Sequence, residues 1–264
     1  MLPSVFKPYK VSLNSLKRIG PKHDGGYVVH KNTIKLTEII LTFGLSDDWE
    51  FEKDFIKNKP KTKIIAYDHT VTTEFWIKRF LKDLLHFFLL KKLRIKKILD
   101  IFKYLDYLLF FTNHIHFKKK IGNLKKEINL NKIFKKKFKN GSVLLKVDIE
   151  GDEYKILDQI QKYSSYINTL TIEFHNIHKK NNIKKLEYFI KKSKFKLIHI
   201  HANNYSFKTK SGIPPYLELT FINIEFIKCS SQTSSFKYPI KYLDYPNRKR
   251  FDDIKLQFKK SKTF

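Results

Sequence analysis

Six short apolar runs punctuate the chain: Glu38–Phe43 (EIILTF), Lys63–Tyr67 (KIIAY), Val143–Ile149 (VLLKVDI), Thr169–Phe174 (TLTIEF), Phe195–Ile200 (FKLIHI) and Tyr216–Ile224 (YLELTFINI). Most carry apolar side chains at successive positions, the pattern of strands covered on both faces. Amphipathic stretches with a helical period lie between several of them. Glu153–Tyr163 gathers Tyr154, Ile156, Leu157, Ile160 and Tyr163 near one face, and Ile183–Lys192 gathers Ile183, Leu186, Phe189 and Ile190. Strands alternating with helices predict a mostly parallel sheet joined by right-handed crossovers. The last two runs are separated by a short link containing Gly212, Pro214 and Pro215, which suits an antiparallel pair.

Two regions break this rhythm. Thr72–Phe111 is helical by propensity, interleaves apolar and basic positions, and holds no Gly or Pro. It is too long for an ordinary connection and predicts a two-helix insert. Ser230–Phe264 is polar and basic. The expected organisation is one domain over residues 1–229, with the insert at 72–111, followed by a basic tail at 230–264.

Composition sharpens the picture only in places. A 42% hydrophobic and 15% aromatic content excludes general disorder. Cys229 is the single cysteine, so no disulfide forms within the chain, which fits a reducing, cytoplasmic setting. The start lacks the pattern of a secretory signal, and no run of about 18 uncharged apolar residues predicts a membrane span. The net charge of +29 comes mainly from lysine, with five arginines among 54 basic residues. Lysine lacks the fork that pairs with phosphate, so the surplus is weak support for a nucleic-acid partner.

Chemistry-bearing residues fall at the ends of the runs: Gly44 with Asp47 and Asp48, then Asp68, Asp148 with Glu150, Glu173 with His175, and His199 with His201, Asn203 and Asn204. In open α/β sheets, ligands bind beyond the carboxyl ends of the strands. A glycine after a strand allows a tight turn and close approach of a ligand. An acid after the second strand can accept hydrogen bonds from the ribose hydroxyls of a nucleoside cofactor. These positions make Gly44, Asp48, Asp68 and Asp148 the cofactor-binding candidates.

The stretch LLKVDIEGDEYKIL, with TFGLSDDWEFE, AYDHT, IEFH, HIHANNY, DGGYVV and IPPYLELTF, resembles the FkbM-type methyltransferases. Its most specific part is Lys146-Val147-Asp148-Ile149-Glu150-Gly151. The resemblance spans about residues 18–76 and 117–224. It implies a class I methyltransferase fold: a Rossmann-like three-layer sandwich whose mostly parallel sheet has an antiparallel C-terminal strand. It also implies S-adenosylmethionine as methyl donor and a sugar or glycolipid hydroxyl as acceptor. Gly44 and Asp68 match the family's cofactor-facing positions, whereas the glycine-rich D-x-G-x-x-x-G form of the first motif is missing.

An alcohol must lose a proton as it takes the methyl group, so an acid–base set is required. Asp148, His175 and His201 are the catalytic candidates, either histidine serving as base. Asp148, Glu173 and His201 could instead hold a divalent cation, but their spacing is no metal signature and no metal ligand is assigned. The alternatives are an RNA or protein methyltransferase using the basic surface, or an inactive scaffold binding a membrane or partner. In the insert, Phe75, Trp76, Phe80, Leu84, Phe87, Phe88 and Leu89 offer an apolar side, and Lys78, Arg79, Lys82, Lys91, Lys92 and Arg94 offer charge suited to an anionic membrane. The pattern leaves the oligomeric state open.

Overall fold

The computed structural model describes residues 1–89, 102–135, 138–205, 209 and 212–260. All six expected runs form strands: β3 (Ile39–Phe43), β4 (Lys63–Tyr67), β6 (Val143–Val147), β7 (Ile167–Phe174), β8 (Phe195–Ala202) and β9 (Leu217–Asn223). With β5 (Ile115–Phe117) they build a seven-stranded sheet of order β5-β4-β3-β6-β7-β9-β8. β3, β4, β5, β6 and β7 pair in parallel, while β9 lies antiparallel between β7 and β8. This is the Rossmann-like class I methyltransferase arrangement expected from the sequence. A separate hairpin, β1 (Leu16–Ile19) with β2 (Tyr27–His30), turns through Asp24-Gly25-Gly26.

Alternate residues of the central strands enter different cores, which is why both faces are apolar. Leu41, Leu145 and Val147 pack on one face with Leu157 and Ile160 of α6 (Leu157–Lys162) and Leu186 and Phe189 of α7 (Lys180–Lys192). Ile40, Ile64 and Leu144 pack on the other with Phe51 and Phe55 of α2 (Glu50–Asn58) and with the hairpin. Two short helices, α1 (Lys31–Leu36) and α5 (Leu130–Ile133), complete the layers. The expected helix from Glu153 to Tyr163 begins as a 3₁₀ turn at Glu153–Lys155 and becomes α-helical only at Leu157.

The insert contributes α3 (Thr73–Leu89) and α4 (Lys103–Thr112). Its apolar side divides. Trp76 is buried against Trp49 and Tyr107, whereas Phe80, Phe88 and Leu89 face outward with Ile77, Leu81 and Leu85. Phe75, Leu84 and Phe87 are half-buried. Lys91, Lys92 and Arg94 lie outside the described residues. No helix among the described residues is long and apolar enough to cross a membrane.

The stretch after residue 229 is integral to the fold rather than a separate tail. Tyr238 and Ile240 belong to the main core, Tyr9 bridges to Thr233, and Leu2 bridges to Phe258.

Candidate active site

Register brings the strand ends together. Phe43 stands opposite Tyr67 on one side and Val147 on the other. The next residues, Gly44, Asp68 and Asp148, therefore emerge side by side along one edge. The Gly44 N–H donates to the Tyr67 carbonyl at 3.0 Å, and the Asp148 N–H to the Phe43 carbonyl at 2.8 Å. Gly44 has φ +81°, and a Cβ there would lie 1.6 Å from the Asp148 carbonyl oxygen. A side chain at this position would drive two strand ends apart, so the glycine is obligatory.

These residues open onto a cleft of about 560 Å³. Its walls include the four cofactor candidates, Gly44, Asp48, Asp68 and Asp148, together with His69 and Thr70. Asp48 also accepts the Glu50 N–H at 2.9 Å, at the start of α2. Asp24, Tyr27 and Lys146 line the same cleft, as does Glu173, which the sequence reading offered as a possible cation ligand. Asp24 sits in the hairpin turn, so the DGGY loop is an ordinary turn that also forms a cleft wall. At the rim, Asp47 pairs with Arg79 of α3, and Arg79 reaches Asp83 at 2.7 Å. This ties the insert to the mouth of the cleft.

Asp68 is more occupied than a free ribose ligand would be. Its Oδ2 accepts the N–H groups of Leu45 and Ser46, each at 2.8 Å, and its Oδ1 accepts the Thr70 N–H at 2.7 Å and the Thr70 hydroxyl at 2.6 Å. Burial pushes its pKa up, but these bonds outweigh burial and hold the carboxyl below its ordinary value. Asp68 thus shapes the loop after β3.

At the far end of the cleft, burial raises Asp148 to about 7 despite the opposing pull of His175. Its Oδ1 is enclosed and accepts no hydrogen bond. His175, behind the cleft wall, places Nε2 3.2 Å from Glu150 Oε2 and 3.9 Å from Asp148 Oδ1. Its Nδ1 lies 3.0 Å from Glu153 Oε1. Burial lowers the His175 pKa, but the carboxylates of Glu153, Asp148 and Glu150 more than reverse this and raise it. β6 stops at Val147, two residues short of the apolar run read from the sequence, so Asp148 and Glu150 lie in the turn beyond it. Glu150 instead adopts φ +55°, and its carboxylate reaches His175. Burial, then the charge of Asp148, raise Glu173 well above its ordinary value, and the carboxyl accepts the Asn203 side-chain amide at 2.9 Å.

His201 does not join this group, which corrects its reading as a catalytic base and as a possible cation ligand. Nδ1 lies 2.9 Å from Glu218 Oε2 and Nε2 3.0 Å from Asp253 Oδ1. Burial alone would lower its pKa, but Glu218 and Asp253, with Asp244 nearby, raise it to about 10. An imidazolium bonded through both nitrogens has no lone pair to accept a proton. Its pKa in the unfolded chain is 6.5, so the stability it contributes is complete below pH 6.5 and lost as pH rises through about 10. Wild-type protein is therefore expected to lose more unfolding free energy between about pH 7 and 10 than His201→Gln, as measured by urea denaturation. Equal pH slopes would show that His201 is neutral in the fold.

No protein-family model matches the chain, and no curated protein sequence matches it. Solved structures do. A Methanococcus jannaschii fibrillarin pre-rRNA processing protein aligns at 11% identity over 80% of this chain and 84% of its own, with a TM-score of 0.39. An rRNA methylase from Streptococcus thermophilus aligns at 12% identity over 73% and 92%, also at 0.39. The structure of a fibrillarin/Nop5p complex aligns at 9% identity over 70% and 72%, again at 0.39. At these scores the likeness adds nothing to the topology described above.

Proposed function

We propose that this chain is an S-adenosylmethionine-dependent methyltransferase. The observation that carries the reading is the edge formed by Gly44, Asp68 and Asp148. It combines a backbone that only glycine permits, an acid-organised loop after β3, and a carboxylate pointing to a separate proton-handling group. A nucleoside cofactor fits the nearer part of the cleft, beside Asp68, His69 and Thr70. The acceptor then lies toward Asp148, with Glu150 and His175 behind it.

In-line displacement at a sulfonium needs donor and nucleophile aligned and the hydroxyl deprotonated. The cleft supplies the alignment, and the Asp148–His175 side supplies negative charge where the proton leaves. A sugar or glycolipid hydroxyl is the acceptor that the sequence resemblance implies, and the outward apolar side of α3 provides a surface for a lipid-borne one. Incubation with labelled donor and glycan, lipid and RNA acceptors tests that choice, since label on RNA alone would replace it.

Calorimetric titration with S-adenosylmethionine tests the reading directly. Saturable binding is expected, and Asp68→Ala should weaken it by about 1.5–3 kcal/mol, roughly 10- to 150-fold, while leaving a cooperative melt. Wild-type protein that takes up no cofactor would leave the chain a scaffold.

A further inference from the structure

Asp148, Glu150 and His175 come from two neighbouring strand ends and offer one ligand atom each within 4.8 Å of the others. Two of the separations are 3.2 and 3.9 Å. Bonds of about 2.0–2.2 Å to a common ion set ligand atoms roughly 3–4.4 Å apart, so a small closure suffices. Two further features favour a cation at this place. The enclosed Asp148 Oδ1 has no donor, and a buried carboxylate oxygen left so is costly. Behind the histidine, fully buried Glu153 uses Oε1 both to accept the Gly151 N–H at 2.8 Å and to face His175 Nδ1 at 3.0 Å. A carboxylate in that position keeps the imidazole proton on Nδ1 and the lone pair on Nε2, as behind metal-bound histidines.

We propose that Asp148, Glu150 and His175 form a divalent-cation site. Two carboxylate oxygens and one imidazole nitrogen suit Mn²⁺ or a similar ion better than Ca²⁺, which takes oxygen ligands alone. The site differs from the set that the sequence suggested. Glu173 is engaged by Asn203, and His201 is closed off between Glu218 and Asp253. Asp148 and Glu150 line the cleft, so the remaining coordination positions open toward it. There the ion lowers the pKa of an acceptor hydroxyl. That last role rests on the methyltransferase reading, but ion binding does not.

The test is Mn²⁺ uptake by the whole 264-residue chain after chelator treatment, followed through the paramagnetic resonance signal of free Mn²⁺. One ion per chain is expected. Glu150→Gln and His175→Gln should each weaken uptake at least tenfold, and Glu153→Gln should weaken it through loss of ring orientation. The Glu150 side chain is 85% exposed, so that variant does not threaten the fold. No uptake at millimolar Mn²⁺, or uptake unchanged in Glu150→Gln and Asp148→Asn, overturns the site. S-adenosylmethionine affinity measured on the same samples separates the two readings. Ion uptake without cofactor binding overturns the methyltransferase alone, and cofactor binding without ion uptake overturns the ion site alone.

Discussion

Asp148→Asn is expected to reduce turnover by about 10²–10⁴-fold once an acceptor is in hand, with cofactor affinity changed far less. The substitution keeps the size of the side chain and replaces one carboxyl oxygen by an amide nitrogen, so the group can neither take up a proton nor carry a negative charge. If the carboxylate handles the acceptor proton, directly or by holding an ion, Glu173 and His201 do not replace it. Glu173 is engaged by Asn203, and His201 is bonded at both nitrogens. Single-turnover kinetics with labelled donor measures the effect. A native rate constant in Asp148→Asn would remove this residue from the chemistry.

Lys146→Ala is expected to lower the unfolding free energy by about 3–5 kcal/mol, a fall in melting temperature of roughly 6–20 °C. Lys146 lies in the central strand β6 and is almost wholly buried. Its Nζ sits 3.2 Å from Oε1 of fully buried Glu52, which also accepts the Thr42 hydroxyl at 2.7 Å. The lysine further lies over the Phe51 ring, 5.3 Å from its centroid. Removing it strands a carboxylate between sheet and α2, and the desolvation of that charge is then uncompensated. Replacing both partners, as in Lys146→Met with Glu52→Gln, should recover most of the loss, because the cost comes from the orphan rather than from the missing attraction. Chemical denaturation of the single and double variants is the measurement. A single variant within 1 kcal/mol of wild type would show that the pair carries no such charge.

The sheet was legible because its strands are buried on both faces and read as unbroken apolar runs, and its reversed last strand because Gly212, Pro214 and Pro215 leave no room for a crossover. The hairpin was not. Lys17 and Arg18 interrupt β1, and Arg18 is tied down by the carbonyls of Pro21 and His23, contacts with no periodicity to betray them. β5 has only three residues, too few for a pattern. At the candidate site, the strand-end rule located Gly44, Asp68 and Asp148 because it depends on register alone. It misplaced His201, whose partner Asp253 is 52 residues away in a stretch that reads as a polar tail. It also missed Glu153, whose role needs the turn at Glu150-Gly151, and a left-handed glutamate carries no sequence signature.

The way the last described stretch closes the molecule has a consequence for the order of folding. β8 is an edge strand, and its two histidines are met by Asp244 and Asp253 only when the chain has run a further 45 and 52 residues. The same stretch must find the opposite end of the chain, where the Leu2 N–H donates to the Gln257 carbonyl and the Lys259 N–H to the Leu2 carbonyl, each at 2.8 Å. Contacts of such long sequence separation pay their loop-closure entropy before any reward. Sheet assembly is therefore expected to precede the docking of both ends. Until they dock, β8 carries two uncovered polar imidazoles, which discourage another strand from adding to an unfinished sheet.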